Sequence, residues 1–240
     1  MHAYNVCMSM SNLLTPAQLD ALAKIDSPTI ANAIEAFNVR DATEGYASLE
    51  LRCLFPDYPP FVGYAITCTV DSTTPGDRKN KPNVLRQLYE AVDAAPKPAV
   101  VVMQDVGPQR LRSCHAGDVM GSIFRRLGAC AVITDGGLRD LAGVRQRAPG
   151  LHMFSPGVVV SHGVPVIVEV GVTVNICGLT VRPGDLLHGD ANGVVSIPQA
   201  IADQVADEAQ KVWAKEADVV GAVHAGDFSL ATLGKKLGWH

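Results

Sequence analysis

The sequence predicts an α/β fold organised around a parallel βαβ unit. Two apolar runs of strand length, Ala99–Asp105 (AVVVMQD) and Ala129–Thr134 (ACAVIT), have the pattern of strands buried on both faces. Between them, Gly117 and Asp118 open a predicted helix that runs through Leu127. A strand, a helix and a second strand in this order predict two parallel neighbours in one sheet.

Further helices and strands are predicted before this unit. Thr15–Phe37 predicts one or two helices, because Thr15 is a good N-cap before Pro16 and Asp26 is followed by Ser27-Pro28, which restarts a helix. Gly63–Asp71 alternates and is rich in β-branched residues, which predicts a strand. Lys81–Val92 has apolar residues at helical spacing and predicts another helix.

The chain after this unit predicts short strands and then helices. Val158–Val174 holds two or three short β runs, and turn signatures at Pro183–Asp185 and Asp190–Gly193 flank further apolar pairs, an arrangement typical of hairpins. Pro198–Val220 predicts a long helix, and Phe228–Leu237 predicts a short final one.

The organisation predicted for the whole chain is a single domain over residues 1–240. Residues 1–37 contribute the N-terminal helices, and residues 198–240 form a C-terminal helical extension. The sequence contains no repeat, low-complexity segment or linker that would divide it.

Charge is distributed unevenly along the chain. The formal net charge is −4, but the segment from residue 110 to residue 147 contains seven arginines and three aspartates, a local charge of +4. An acidic protein with one basic stretch suits a small anionic substrate better than a nucleic acid, which requires a broad basic face. Most of these arginines are interpreted as solvated charges: Arg110, Arg125, Arg126, Arg145 and Arg147.

The cysteines and the N-terminus predict a reduced, cytoplasmic protein. None of the six cysteines forms a CxxC pair, and Cys68, Cys130 and Cys177 lie in apolar runs, where cysteine is usually a small buried hydrophobe. The N-terminal residues do not have the pattern of a signal peptide. No apolar segment reaches the ~18 residues that a membrane helix requires, so no membrane partner is expected.

The sequence lacks the common catalytic signatures. It contains no glycine-rich dinucleotide motif, no P-loop, no GxSxG elbow and no HExxH motif. Its seven histidines include no pair at metal-ligand spacing, so a zinc site is not expected. A Ser/His/Asp triad stays open, although no serine lies in an elbow context.

A candidate site follows from the predicted βαβ unit. Ligand sites of open α/β sheets lie at the carboxyl ends of the strands. There the first strand leads to Gly117-Asp118 at a helix start, and the second ends just before Asp135-Gly136-Gly137-Leu138-Arg139-Asp140. Parallel neighbours place both ends at the same edge of the sheet, so we expect Asp118, Arg139 and Asp140 to lie close together.

Each part of this cluster has chemistry that suits a 2-oxo acid. The backbone N–H groups of Val119 and Met120 at the helix start can bind a carboxylate, and Gly117 permits close approach. Arg139 can hold a carboxylate or keto oxygen. Asp140 is a hard oxygen ligand for a cation that keeps several waters, as Mg²⁺ or Mn²⁺ does, and such a cation stabilises an enolate.

Each residue also has a simpler interpretation. Asp118 alone could be a helix N-cap, which contributes about 1 kcal/mol without any catalysis. Arg139-Asp140 alone could be a surface ion pair, and Gly136-Gly137 could be only a turn. His115 and His162 are more often ordinary loop or partly buried histidines.

The spacing of the cluster resembles that of a known family. Asp118, 20 intervening residues and then Arg139-Asp140 match the D-x20-R-D signature of the 4-hydroxy-4-methyl-2-oxoglutarate aldolase family, which also contains the regulator of ribonuclease activity A. Val132–Val144 (VITDGGLRDLAGV), the turn at 183–185 and Gly189–Pro198 (GDANGVVSIP) support the resemblance, which covers residues 20–220 approximately.

The resemblance implies a fold, an assembly and a reaction. The fold would be a swivelling-domain-like α/β/β sandwich with C-terminal helices, assembled as a homotrimer or a hexamer with sites between subunits. The backbone of residues 117–120 (Gly117, Asp118, Val119 and Met120) and the side chain of Arg139 would bind pyruvate, Asp140 would hold the metal, and Asp118 would organise water and help move protons. A neighbouring subunit would contribute an acid, for which Glu216 is the expected residue.

The implied activity is that of a metal-dependent carbon–carbon lyase. It would release pyruvate, by way of a stabilised enolate, from a 2-oxo acid such as 4-hydroxy-4-methyl-2-oxoglutarate, or decarboxylate oxaloacetate. The loop before Gly117 (VGPQRLRSCHA) and the segment Arg52–Pro60 depart from the aldolases, so the substrate itself is left open. The alternative function is that of a non-catalytic, ring-shaped regulator of a ribonuclease.

Overall fold

A large mixed β-sheet forms the centre of the molecule. The computed structural model describes residues 13–77 and 82–239. The strands, in chain order, are β1 (Arg52–Cys53), β2 (Phe61–Asp71), β3 (Ala99–Asp105), β4 (Cys114–Ala116), β5 (Ala129–Thr134), β6 (Gly137–Leu138), β7 (His152–Ser155), β8 (Val166–Val170), β9 (Val174–Ile176), β10 (Leu179–Val181), β11 (Leu186–Asp190) and β12 (Gly193–Ile197).

The central sheet has eight strands in the order β1-β7-β5-β3-β2-β11-β12, with β8 paired to β2 outside this path. Strands β2, β3, β5 and β7 are parallel to one another, whereas the remaining pairs are antiparallel. Two further sheets have two strands each, β9 with β10 and β4 with β6. The prediction that Ala99–Asp105 and Ala129–Thr134 form parallel neighbours is confirmed.

Helices cover parts of this sheet. In chain order they are α1 (Pro16–Leu22), α2 (Ser27–Glu35), α3 (Leu85–Ala94), α4 (Asp118–Arg126), α5 (Leu141–Arg147), α6 (Val205–His224) and α7 (Leu230–Leu237). Side chains of β3 alternate between the two faces: Val101 and Met103 pack with α3, α4 and α5, whereas Val100 and Val102 pack against β9 and β10. The central strands are therefore apolar throughout because both of their faces are covered.

The N- and C-terminal helices pack together at the β11–β12 end of the sheet. Apolar residues of α1, α2 and α6 form one buried cluster with Tyr64, Leu186 and Val195. A mixed α/β fold with a large central sheet and C-terminal helices is thus present. Its description as a swivelling domain remains a prediction.

Several predicted boundaries differ from the structure. The long C-terminal helix begins at Val205 rather than Pro198, because the chain makes turns between them. The last helix begins at Leu230, where Ser229 provides the N-cap. Helix α3 begins at Leu85, and the predicted start at Lys81 lies outside the described residues. None of the described helices combines the length and apolar character needed to span a bilayer.

Candidate active site

A pocket lies at the carboxyl end of β2 and the start of α4. The sequence placed the site at the carboxyl ends of β3 and β5, which contact the pocket residue His115 through Asp105 and Thr134. The volume of the pocket is about 240 Å³, which suits a small molecule. The start of α4 and Arg139 form one part of its lining, and residues of β2, α3 and β8 form another. Of the residues predicted for the site, five line this pocket: Gly117, Asp118, Val119, Met120 and Arg139.

The small β4–β6 sheet brings the two halves of the motif together. These two strands pair in parallel, with Cys114 opposite Gly137 and Ala116 opposite Leu138. The pairing continues for one more hydrogen bond, from the Arg139 N–H to the Ala116 carbonyl at 3.1 Å. Gly117 and Arg139 follow directly on these two strands, so both reach the pocket from the same direction.

Gly117 lies in contact with both residues of the Arg139-Asp140 pair. A Cβ atom added to Gly117 would lie 2.6 Å from Asp140 Oδ2 and 3.2 Å from Arg139 Nε. Arg139 Nε is in turn 3.2 Å from Asp140 Oδ2. Asp140 does not itself line the pocket, but its carboxylate lies against a residue that does.

Asp118 is not the N-cap of α4, as the simpler interpretation of this residue supposed. The N-cap is Gly117, which has no side chain to accept a hydrogen bond, and Asp118 is already the first helical residue. The carboxylate of Asp118 instead accepts a short hydrogen bond from Arg147 Nη1 of α5 and lies against Gly143. The N-cap interpretation of Asp118 is therefore wrong, because its side chain is directed toward α5.

Asp140 has an unusual backbone conformation. Its φ is 57° and its ψ is 38°, in the left-handed region that non-glycine residues seldom occupy. It is the N-cap residue of α5, yet its side chain makes no capping hydrogen bond and is 41% exposed. Strain of this kind is concentrated at functional sites. The conformation leaves the carboxylate free of a role in the helix.

These residues fit a magnesium or manganese ion. Among the described residues, no three His, Cys, Asp or Glu side chains converge in the way a metal held entirely by the protein would require. Mg²⁺ commonly binds to one or two carboxylates and completes its shell with water and substrate oxygens. Asp140 offers one carboxylate that is 41% exposed, and the missing Cβ of Gly117 lets that carboxylate lie against the residue that begins the pocket lining.

Beside the pocket lies a network of buried polar side chains that the sequence did not reveal. His115 of β4 lines the pocket, and its ring bridges two strand ends: Nε2 lies 2.8 Å from Asp105 Oδ2, and Nδ1 lies 2.6 Å from Thr134 Oγ1. Asp105 is the last residue of β3 and Thr134 is the last residue of β5. His115 thus attaches the strand that carries Gly117 to both central strands, which is more than the ordinary role expected for it.

This network does not form a hydrolase triad. The order Thr134, His115, Asp105 has the hydrogen bonding of one, but Thr134 is completely buried, and its hydroxyl oxygen already accepts the Gly136 N–H at 3.0 Å. A nucleophile has to reach the substrate. Cys114 is not a candidate either, because burial raises the pKa of its thiol to about 11.

The two glycines before the motif have a packing role. A Cβ on Gly136 would lie 2.6 Å from the His115 ring, and one on Gly137 would lie 2.5 Å from the Ser113 carbonyl oxygen. Both are therefore needed for β4 to approach β6, which is more than a simple turn requires.

His162 and Glu216, also singled out in the sequence, lie in different parts of the structure. His162, expected to be an ordinary loop histidine, is exposed and lines the pocket. Glu216, the acid expected from a neighbouring subunit, is an exposed residue of α6 that lines a separate surface groove. Its role across a subunit interface stays a prediction.

The chain belongs to the RraA-like family. The family model described as Aldolase/RraA matches residues 27–196. A protein from Halalkalibacterium halodurans named "Putative 4-hydroxy-4-methyl-2-oxoglutarate aldolase" is 30% identical over 198 residues, which cover 82% of this chain and 86% of the relative. The family resemblance read from the D-x20-R-D spacing is thereby confirmed.

Solved structures support the same fold. A Pseudomonas syringae protein of uncharacterised function superposes with a TM-score of 0.71 at 23% identity, over 95% of each chain. A Streptomyces coelicolor protein, described as an unusual member of the RNase ES inhibitor RraA protein family, superposes with a TM-score of 0.65 at 22% identity, over 85% of this chain and 97% of that one. At these identities the likeness concerns the fold.

Proposed function

We propose that this protein is a divalent-metal-dependent carbon–carbon lyase that cleaves a small 2-oxo acid and releases pyruvate. The observation that carries the proposal is the convergence of Gly117, Arg139 and Asp140 beside one pocket, with the Gly117 Cβ position 2.6 Å from the Asp140 carboxylate. The name of the Halalkalibacterium halodurans relative supports a lyase.

The pyruvate half of the substrate would bind at the start of α4. No side chain in the described part of the chain caps this helix, so the amides of its first turn are available to a carboxylate. Arg139 lines the same pocket and would donate hydrogen bonds to the carboxylate or to the keto oxygen. Binding at two points fixes the orientation of the bond that is to break.

Asp140 would hold the metal ion, with Mg²⁺ the preferred candidate and Mn²⁺ the alternative. When bound, the ion supplies a Lewis acid that stabilises the negative charge developing on the keto oxygen. The left-handed backbone of Asp140 keeps its carboxylate out of any capping bond to α5, and the side chain is 41% exposed.

Asp118 would act in proton transfer. In the retro-aldol reaction the 4-hydroxyl loses its proton to a base, the C3–C4 bond breaks and C4 becomes a carbonyl. The electron pair passes to C3 as the enolate of pyruvate, which then takes up a proton. Asp118 lines the pocket and Arg147 fixes its carboxylate, so it can order the water that accepts and returns these protons.

Oxaloacetate decarboxylation is included in the proposal because it gives the same enolate after loss of CO₂. The proposal also includes a homotrimer or hexamer with the site at a subunit interface, an acid such as Glu216 from the neighbour, and a cytoplasmic location. The ribonuclease regulator remains the alternative function; the Streptomyces coelicolor protein shares its fold with this chain at 22% identity.

The test is pyruvate release from 4-hydroxy-4-methyl-2-oxoglutarate and from oxaloacetate. Each substrate is assayed with Mg²⁺, with Mn²⁺ and with a chelator. The Asp140→Asn variant is compared with the matched control Asp20→Asn, which removes an exposed carboxylate of α1. We expect metal-dependent release that is lost in Asp140→Asn and retained in Asp20→Asn.

Two results would contradict the proposal. Pyruvate release that continues at full rate with chelator would exclude a metal requirement. Equal activity of Asp140→Asn and Asp20→Asn would exclude a required role for the Asp140 carboxylate. If neither substrate is turned over, isothermal titration of Mg²⁺ against both variants shows whether Asp140 binds metal, and a protein without such binding would favour the regulator.

A further inference from the structure

Two histidines are among the described residues that line the pocket, and their rings are held in different ways. His115 is buried, and both of its ring nitrogens are engaged: Nε2 lies 2.8 Å from Asp105 Oδ2, and Nδ1 lies 2.6 Å from Thr134 Oγ1. His162 is exposed and belongs to the loop between β7 and β8. Of the two rings, that of His162 is the one placed to exchange protons with a molecule in the pocket.

The backbone fixes which nitrogen of His162 can accept a proton. His162 Nδ1 lies 2.7 Å from the carbonyl oxygen of Gly163. A carbonyl oxygen can only accept a hydrogen bond, so Nδ1 carries the proton of this bond. In the neutral ring the lone pair then lies on Nε2. The bond to Gly163 therefore sets the ring in the tautomer whose outer nitrogen is a base.

Ser72 holds the His162 loop and the strand of the motif together. Its carbonyl oxygen accepts the Val164 N–H at 2.8 Å, and its hydroxyl accepts the Cys114 N–H at 2.9 Å. Ser72 is buried, and β4, which begins at Cys114, leads directly to the start of α4. Because one residue binds both segments, the position of His162 relative to the start of α4 is fixed by the fold.

Other polar groups of the pocket are less suited to keep a proton. The Asp118 carboxylate already accepts a short hydrogen bond from Arg147 Nη1. Burial raises the pKa of the Cys114 thiol to about 11, so this group stays protonated and cannot act as a base. The water that Asp118 orders in the proposed reaction therefore requires a further group to which it passes the proton.

We infer that His162 is the general base of this site. The inference rests on the proposed lyase function and assigns the proton acceptor that the reaction requires. The O–H bond of the 4-hydroxyl breaks, and its proton passes through the water to the lone pair of Nε2. The C3–C4 bond then breaks, its electron pair forms the enolate, and C4 becomes a carbonyl. The imidazolium returns the proton to C3 by the same route, which completes pyruvate and restores the neutral ring.

His162→Asn separates this role from a structural role of the ring. The Asn amide can donate to the Gly163 carbonyl, but it has no basic nitrogen. With Mg²⁺ present, we expect kcat for cleavage of 4-hydroxy-4-methyl-2-oxoglutarate to fall about a hundredfold. Exchange of the C3 hydrogens of pyruvate in D₂O, followed by NMR, should fall by the same factor, because it requires the same base. His224→Asn is the matched control, since His224 is an exposed residue of α6 that does not line the pocket.

Oxaloacetate provides a reaction of the same site that has no hydroxyl proton to remove. Its C–C bond breaks with loss of CO₂, so CO₂ release by His162→Asn should equal that of the original protein. Imidazole added to His162→Ala should restore the C3 exchange, because the exposed position admits a small base from solution. A change in the shape of the pocket would not produce this combination of results.

Three results would overturn the inference and leave the lyase function standing. The first is full cleavage and exchange by His162→Asn. The second is an equal fall of CO₂ release and of exchange, which would assign His162 to the shape of the pocket. The third is an original protein that releases CO₂ from oxaloacetate but exchanges no C3 hydrogen of pyruvate. If the original protein acts on neither substrate with either metal, the lyase function fails, and the assignment of His162 fails with it.

Discussion

Gly117 and Asp140 lie so close together that a methyl group on Gly117 would overlap the Asp140 carboxylate, with 2.6 Å between the added Cβ and Oδ2. The two residues are 23 positions apart in the sequence and meet because β4 pairs with β6. The absence of a side chain at Gly117 is therefore a requirement of the site.

Gly117→Ala should separate activity from stability. Its φ of −138° is open to any residue, so we expect the free energy of unfolding to change by less than about 1 kcal/mol. The added methyl displaces the Asp140 carboxylate, and we expect kcat/KM for pyruvate release to fall about a hundredfold. Gly157→Ala is the control, because an added Cβ there has no described atom within 4 Å. Equal activity of both variants would contradict this prediction.

The left-handed backbone at Asp140 predicts an order of stability among its variants. Alanine is disfavoured at a φ of 57°, so Asp140→Ala should lower the free energy of unfolding by about 1 kcal/mol. Asn and Gly tolerate this conformation, and both variants should be as stable as the original protein. All three variants should lack metal-dependent turnover. Turnover retained by Asp140→Asn would show that the carboxylate charge is not required.

The buried His115–Asp105 pair predicts a coupled effect on stability. His115→Phe leaves the Asp105 carboxylate buried without its imidazole partner, and we expect a loss of about 3 kcal/mol in the free energy of unfolding. In the double variant His115→Phe/Asp105→Leu the unpaired charge is gone, so its loss should be smaller than the sum of the two single losses. Urea unfolding of the four proteins measures this coupling, and strictly additive losses would argue against the pair.

His152 predicts a dependence of stability on pH. It is buried among Tyr58, Phe61 and Phe154, its Nδ1 has no hydrogen-bond partner among the described residues, and burial lowers its pKa to about 4. Below the ordinary pKa of about 6.5 the unfolded chain binds a proton that the folded chain does not bind until about pH 4. Stability contributed by neutral His152 is therefore lost as the pH falls through this window, by about 2 kcal/mol between pH 7 and pH 5.

His152→Phe should remove that contribution. The free energy of unfolding of the variant should decline less steeply between pH 7 and pH 5, by about the same 2 kcal/mol. Urea unfolding of both proteins at the two pH values gives the comparison. Parallel pH profiles would mean that His152 does not titrate in this range.

The sequence predicted the framework of the fold better than its details. Ala99–Asp105 and Ala129–Thr134 were predictable to the residue, because strands buried on both faces leave long apolar runs. The short strands β4 and β6 were not predicted. They contain Cys114, His115 and Gly137, residues with little preference for a strand, and they exist because each pairs with the other.

For the site, too, the sequence predicted which residues lie together but not the partners of each side chain. The proximity of Asp118, Arg139 and Asp140 follows from parallel topology, which sequence patterns reveal. The partners of individual side chains do not follow, because they depend on tertiary packing: Arg147, interpreted as a solvated charge, holds Asp118, and His115 joins Asp105 to Thr134. No local motif connects these residues.

The 20 residues between Asp118 and Arg139 carry the chain away from the pocket and back to it. Helix α4 leads away from the pocket, β5 returns to its edge, and β6 sets the arrival point by pairing with β4. One residue inserted in α4 would turn everything after it by about 100° around the helix axis, and one inserted in β5 would exchange the two faces of the strand. The residues of this stretch can therefore be exchanged without moving its two ends, whereas its length cannot be changed. The length of this stretch, more than the identity of its residues, is what brings Arg139 and Asp140 beside Gly117.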